Sequence, residues 1–272
     1  MKEKSNKIGI FDSGVGGLSV LKQFIKYMPF ESYIYLGDTA RVPYGNKSAN
    51  TIKQYARECT NFLLARDVKL IVVACHTVSS VALEEVEKVS DVPVVGMIKP
   101  AAKSALVTSK TKRIGVIGTR ATISSGSYQN TLVNANQNSD VEVFSKACPL
   151  FVPLVEEGFI LHPATKLIAA EYLSDYKNLG IDTLILGCTH YPLLSKVISE
   201  ILPDVELIDS GEQAAIYSLR LLAEKGLLRE EYEDVSPLPD VEFYLTDLTL
   251  NFRNIVNTFL GFEIEKLEIV KL

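Results

Sequence analysis

The chain has 272 residues, of which 47% are hydrophobic and 22% charged, and its net charge is −5 at pH 7. That is enough apolar material for one large globular domain or two ordinary ones. The acidic balance and scattered lysines argue against a nucleic-acid partner or an anionic membrane surface, and no apolar run approaches a membrane span.

The basic start, Met1 to Lys7, leads into an apolar run that breaks at Asp12-Ser13-Gly14. No signal peptide is therefore expected, and the protein reads as cytoplasmic. Lys7-Ile8-Gly9-Ile10-Phe11 is the first predicted strand, and Asp12 to Leu18, with its glycines, is a tight turn into a helix over Leu18 to Tyr27. The glycine spacing is not the dinucleotide fingerprint. Tyr33 to Leu36 is a second strand, followed by a loop, Gly37 to Gly45, that mixes Gly, Pro and Tyr with charged groups. A helix over about Ser48 to Arg66 contains Cys59, which reads as a small core residue. The third strand is Ile71-Val72-Val73-Ala74, running into Cys75-His76-Thr77, with a helix over Ser79 to Val89 and a fourth strand over Pro93 to Ile98. Lys99-Pro100 is a plausible crossover.

There the pattern restarts. Arg113 to Thr119 repeats the layout of Lys7 to Asp12, and Glu142-Val143-Phe144 supplies a second strand. Leu184-Ile185-Leu186-Gly187 runs into Cys188-Thr189-His190, and Val205 to Ile208 is the fourth strand. An amphipathic helix over Glu212 to Lys225, a short strand near Phe243 to Leu245 and a helix over Leu248 to Leu260 complete the chain. Alternating strands and helices imply an α/β fold: two pseudo-symmetric domains, each a mainly parallel sheet flanked by helices, with a site in the cleft between them. The expected division is 1–98 plus 211–272 against 99–210.

None of the four cysteines, Cys59, Cys75, Cys148 and Cys188, falls in a C-x-x-C pair, and all are expected to stay reduced. Cys75 and Cys188 end corresponding strands, where open α/β sheets collect their ligands. Three readings compete. Buried thiols can be small hydrophobes, although the polar neighbours argue against that. Cys75, His76, Cys188 and His190 could form a zinc set, but neighbours on an extended strand point to opposite faces, so no metal is expected. Acid–base chemistry explains the duplication best. A thiolate on one face of a carbon takes a proton while a thiol on the other gives one, which inverts a stereocentre. Asp12, Glu156 and His190 are candidates to tune the two thiols.

Four stretches together resemble the glutamate racemases of the aspartate/glutamate racemase superfamily: Phe11 to Leu18, Leu36 to Gly45, Cys148 to Glu156 and Gly187 to Leu193. The resemblance implies cofactor-independent interconversion of L- and D-glutamate, supplying D-glutamate for peptidoglycan, in a homodimer. It implies that Cys75 exchanges the α-proton on the D side and Cys188 on the L side, with Asp12 beside Cys75, His190 beside Cys188 and Glu156 near His190. Substrate contacts are implied for Asp12, Ser13, Tyr44, Gly45, His76, Thr77, Thr189 and His190. Two positions depart from the family pattern, His76 where Asn is usual and Lys99 where Glu is common. A racemase of a related amino acid such as aspartate, or a weakly active regulatory protein on the same scaffold, is the alternative expectation.

Overall fold

A computed structural model describes residues 2–135, 140–230, 240–248, 252–261, 264 and 266–272. The first half runs β1 (Ile8–Asp12), α1 (Leu18–Tyr27), β2 (Tyr33–Gly37), α2 (Ala49–Leu64), β3 (Leu70–Val73), α3 (His76–Val81), α4 (Leu83–Val89) and β4 (Val94–Gly96). Then come α5 (Ile98–Thr108), β5 (Arg113–Gly118), α6 (Arg120–Ser124), α7 (Ser127–Ala135), β6 (Glu142–Ala147), α8 (Phe151–Glu156) and α9 (Pro163–Leu173). The remainder is β7 (Thr183–Gly187), α10 (Ser195–Ile201), β8 (Glu206–Asp209), α11 (Ser210–Glu224), β9 (Val241–Leu245), α12 (Phe252–Leu260) and β10 (Leu267–Ile269).

The strands form two sheets, ordered β10-β9-β2-β1-β3-β4 and β6-β5-β7-β8. All pairings are parallel. The quartets β2-β1-β3-β4 and β6-β5-β7-β8 are wound alike, so β3 and β7 occupy equivalent places. Each half thus reverses its winding direction beside its first strand, which opens a crevice at the carboxyl ends of the strands.

Helices cover both faces of each sheet, which is why β1, β2, β3 and β7 are buried along their whole length and read as unbroken apolar runs. Period-two alternation sorts the side chains of the first sheet. Ile8, Ile10, Tyr33, Tyr35, Leu70 and Val72 face a core shared with α1 and α11, while Phe11, Ile34, Leu36, Ile71 and Val73 face α2. Cys59 sits fully buried in that second core, as a small core residue does. The core shared with α1 and α11 continues into the second sheet through Ile117, Leu184 and Leu186. One apolar mass therefore spans the two halves and sets their spacing.

The helix expected over Ser79 to Val89 is instead two, α3 beginning at His76 and α4 following a break at Ala82, where φ is −134°. Chain pairing of β3 stops at Val73, and the Ser79 hydroxyl donates to the Val73 carbonyl (2.9 Å) while accepting the Met97 N–H (3.1 Å). Those bonds draw the chain into a helical turn straight after Cys75. Lys99-Pro100 falls in the first turn of α5 rather than in an open crossover. Proline near a helix start forfeits no intrahelical hydrogen bond. The final helix is described from Phe252, so the part of its expected span at 249–251 lies outside the described residues.

Candidate active site

β1 delivers Asp12 to the carboxyl edge of the first sheet, where its side chain is almost wholly buried. Oδ2 accepts the Gly14 N–H at 2.9 Å, and Oδ1 has no hydrogen-bond partner among the described residues. Burial raises this carboxyl above its ordinary range, against the opposing pull of the Gly14 N–H and the His190 charge. Cys75 follows β3 and caps α3, and its thiol donates to the Ser13 hydroxyl at 3.4 Å. Burial, reinforced by the Asp12 carboxylate, pushes the Cys75 thiol up to about 12. At neutral pH Cys75 is therefore a thiol.

The second half repeats the plan with opposite electrostatics. Cys188 follows β7, and its sulfur lies 3.8 Å from His190 Nδ1. His190 Nε2 meets Glu156 Oε1 at 2.8 Å, at the last residue of α8. Burial disfavours the imidazolium, but the hydrogen bonds to Cys188 and Glu156 prevail and raise His190 to about 10. The Cys188 sulfur thus faces a cation, where the Cys75 sulfur faces the Asp12 carboxylate. The Phe259 ring of α12 packs edge-on against the imidazole, with centroids 5.7 Å apart.

A third wall comes from the loop after β2. Tyr44 is buried, its hydroxyl donating to Asp38 Oδ2, which also accepts from Arg41 Nε at 2.6 Å. Across the cleft, the Thr77 and Thr119 hydroxyls lie 3.2 Å apart and join the two halves.

Together these groups enclose a cavity of about 390 Å³, within the roughly 300–1,000 Å³ range of small-molecule sites. Every site residue expected from the sequence lines it: Asp12, Ser13, Tyr44, Gly45, Cys75, His76, Thr77, Glu156, Cys188, Thr189 and His190. Lys99 does not; it is exposed beside a separate cavity with Lys53 and Lys88. Sequence reasoning missed Val42, Pro43, Thr119, Arg120, Pro149, Val152 and Pro153 in the lining. The repeat did carry a signal for Thr119, since it follows β5 where Asp12 ends β1. Among the described residues no group of three or more His, Cys, Asp or Glu side chains is arranged to hold a metal ion. His76 begins a helix, so the strand geometry expected for the Cys75-His76 pair does not apply.

His76 is the outlier. It is buried, its ring stacks on Tyr128 at 6.4 Å, and neither ring nitrogen has a hydrogen-bond partner among the described residues. Burial lowers it from 6.5 to about 3, so it is neutral at physiological pH. In the unfolded chain it takes a proton as pH falls through about 6.5, while the folded protein refuses that proton until about 3. Stability should accordingly fall with decreasing pH across this window, with His76 contributing up to about 1.4 kcal/mol per pH unit. Urea titrations of the wild type and His76→Asn between those limits check this. A difference in unfolding free energy that does not vary with pH would contradict it.

Comparisons with known proteins place the whole chain among racemases. Residues 8–216 match the family model described as Asp/Glu/Hydantoin racemase. The glutamate racemase of Chlorobaculum tepidum is 50% identical over 265 residues, covering 97% of this chain and 95% of the relative. The structure of glutamate racemase from Francisella tularensis in complex with D-glutamate superposes with a TM-score of 0.90 at 40% identity, covering 98% of both chains. A glutamate racemase isoform from Bacillus anthracis gives 0.92 at 36% identity, covering 99% of both. The family model spans most of the chain and these relatives match nearly its whole length, so the chain belongs to the Asp/Glu/Hydantoin racemase family.

Proposed function

We propose that the chain interconverts L- and D-glutamate by a cofactor-independent two-base mechanism and supplies D-glutamate for peptidoglycan. The observation that carries the reading is the pair of buried thiols on one cavity, each at the end of an equivalent strand, in opposite electrostatic settings. With L-glutamate bound, the Cys188 thiolate takes the α-proton and the bonding pair passes into the α-carboxylate as an enediolate-like carbanion. The Cys75 thiol then gives its proton to the opposite face. Cys188 ends as a thiol and Cys75 as a thiolate, and the reverse reaction starts from that state.

Fixed groups lower the energy of the carbanion. Asp12 Oδ1, without a protein donor among the described residues, accepts from the substrate ammonium. Ser13, Thr77 and Thr189 offer hydroxyls, and the Tyr44-Gly45 wall holds the side-chain carboxylate. Glu156 keeps His190 protonated and oriented, as a carboxylate does for a positioned imidazole. In this reading residues 1–98 with 211–272 and residues 99–210 form the two jaws, which the division of strands between the sheets supports. A cytoplasmic homodimer is the expected working form.

Incubation with L-glutamate in heavy water tests the reaction. The α-proton should exchange as D-glutamate accumulates; folded, reduced protein that forms no D-isomer would sink the proposal. His76 favours one second reading. Its two ring nitrogens, unpartnered among the described residues and set at the cavity, can reshape substrate choice toward a related amino acid, aspartate first. A panel of amino acids run in the same assay separates the two by their kcat/KM values.

A further inference from the structure

β9 extends the first sheet beside β2 in parallel, with Gly37 opposite Leu245. The residues that leave the sheet next, Asp38 and Thr246, therefore emerge side by side at the carboxyl edge, close to the loop that walls the cavity. Their contacts are specific. The Thr246 hydroxyl donates to Asp38 Oδ1 at 2.9 Å and accepts the Ala40 N–H at 2.9 Å, while the Thr246 N–H bonds the Gly37 carbonyl at 3.1 Å. One residue further on, the Asp247 N–H donates to the Thr39 hydroxyl at 2.9 Å, and that hydroxyl donates to the Asp247 carbonyl.

Asp38 is fully buried and divides its two oxygens between different tasks. Oδ1 faces Thr246; Oδ2 accepts from Tyr44 and from Arg41. The Arg41 guanidinium pairs with Glu58 and lies 4.0 Å from the centre of the Tyr55 ring, which packs against Tyr44 at 5.4 Å. Among the described residues, the Thr246 hydroxyl is the donor that Oδ1 has. A buried carboxylate oxygen that loses its donor must turn toward another, and here turning pulls Oδ2 away from Tyr44.

We propose that Thr246 is a positioning residue for substrate binding, acting through Asp38 to hold Tyr44 and Gly45 against the cavity. It lies outside the cavity lining and away from the thiols, so its loss should loosen one wall while the ends of β3 and β7 keep Cys75 and Cys188 in place. The device gives the end of β9 a role in affinity that the sequence around the cysteines does not disclose. The inference rests on the reading of Tyr44 and Gly45 as substrate contacts.

Thr246→Val preserves shape and removes both hydrogen bonds. The expected result is a rise of about tenfold in KM for both enantiomers with kcat within about twofold, the signature of lost binding that does not distinguish ground state from transition state. Thr246→Ser restores the hydroxyl and should return KM to within about twofold of wild type. Tyr44→Phe should cost markedly less in the valine background than in the wild type, because the two changes break one chain of contacts. Amide hydrogen exchange should quicken across 38–47 and stay unchanged in β1 and β3.

An unchanged KM, a fall in kcat alone, failure of the serine variant to recover, or additivity with Tyr44→Phe would each overturn the proposal. If the valine variant does not fold, Thr246→Ala carries the same measurements. If the wild type shows no glutamate turnover, the functional reading fails, and amide exchange across 38–47 still decides whether Thr246 holds the loop.

Discussion

Cys75→Ser and Cys188→Ser should each lower racemisation by about a thousandfold or more, since each removes one of two essential proton carriers. A hydroxyl is a far weaker acid than a thiol, so serine can neither give nor take the proton at a useful rate. The loss in kcat/KM must be equal in the two directions for each variant, because enantiomers have equal free energies and the rate ratio cannot depart from unity. What should differ is partial exchange. With Cys75 replaced, Cys188 can still remove the α-proton of L-glutamate and return a solvent deuteron to the same face. With Cys188 replaced, the corresponding exchange should be confined to D-glutamate. Proton NMR in heavy water reads both outcomes, and racemisation within tenfold of wild type in either variant would contradict the two-base scheme.

Gly16→Ala should reduce kcat/KM by about a hundredfold or more, although residue 16 carries no functional group. A Cβ on Gly16 would lie 2.3 Å from Thr189 Oγ1, 2.4 Å from His190 Cε1 and 2.6 Å from His190 Nδ1. These distances are far inside van der Waals contact, so the imidazole and the hydroxyl must move or the two halves must separate. The halves are also tied there by the Ser19 hydroxyl, 2.6 Å from the Thr189 carbonyl and 2.9 Å from that of Gly16. Displacing His190 removes the cation 3.8 Å from the Cys188 sulfur. The imidazole signals of His190 in a nitrogen-15 spectrum should shift along with the loss of activity. A variant with wild-type kinetics and an unshifted His190 would show that the approach of the two halves is looser than this.

Much of this was legible because the relevant patterns are short. Runs such as Ile71 to Val73 and Leu184 to Leu186 are apolar without alternation, which a strand covered on both faces requires. A cysteine directly after each run then falls at the sheet edge, where ligands collect. The helix boundaries after Cys75 were not legible, since they depend on Ser79 bonding backward to Val73 and forward to Met97. Nor was the role of the middle glycine in the turn from Asp12 to Leu18: Gly16 looks like any tight-turn residue until Thr189 and His190 arrive against it. Asp38 drew no role of its own within the Gly37 to Gly45 loop, because one of its partners, Thr246, is 208 residues away in the chain.

The class of fold, the duplication, the two thiols and the polar groups around them are all written in short stretches of chain. They follow from local periodicity and from motifs only a few residues long. The electrostatic contrast between the thiols, by comparison, exists only once the halves are packed. Cys75 is raised to about 12 by burial beside Asp12, whereas Cys188 meets an imidazolium held by Glu156 from another helix. Packing also makes His76 neutral and buried, without hydrogen-bond partners among the described residues, and brings the end of β9 to the cavity wall through Asp38. Charge and solvation depend on which groups are brought within a few ångströms, and that is a property of the packed halves rather than of any stretch of chain.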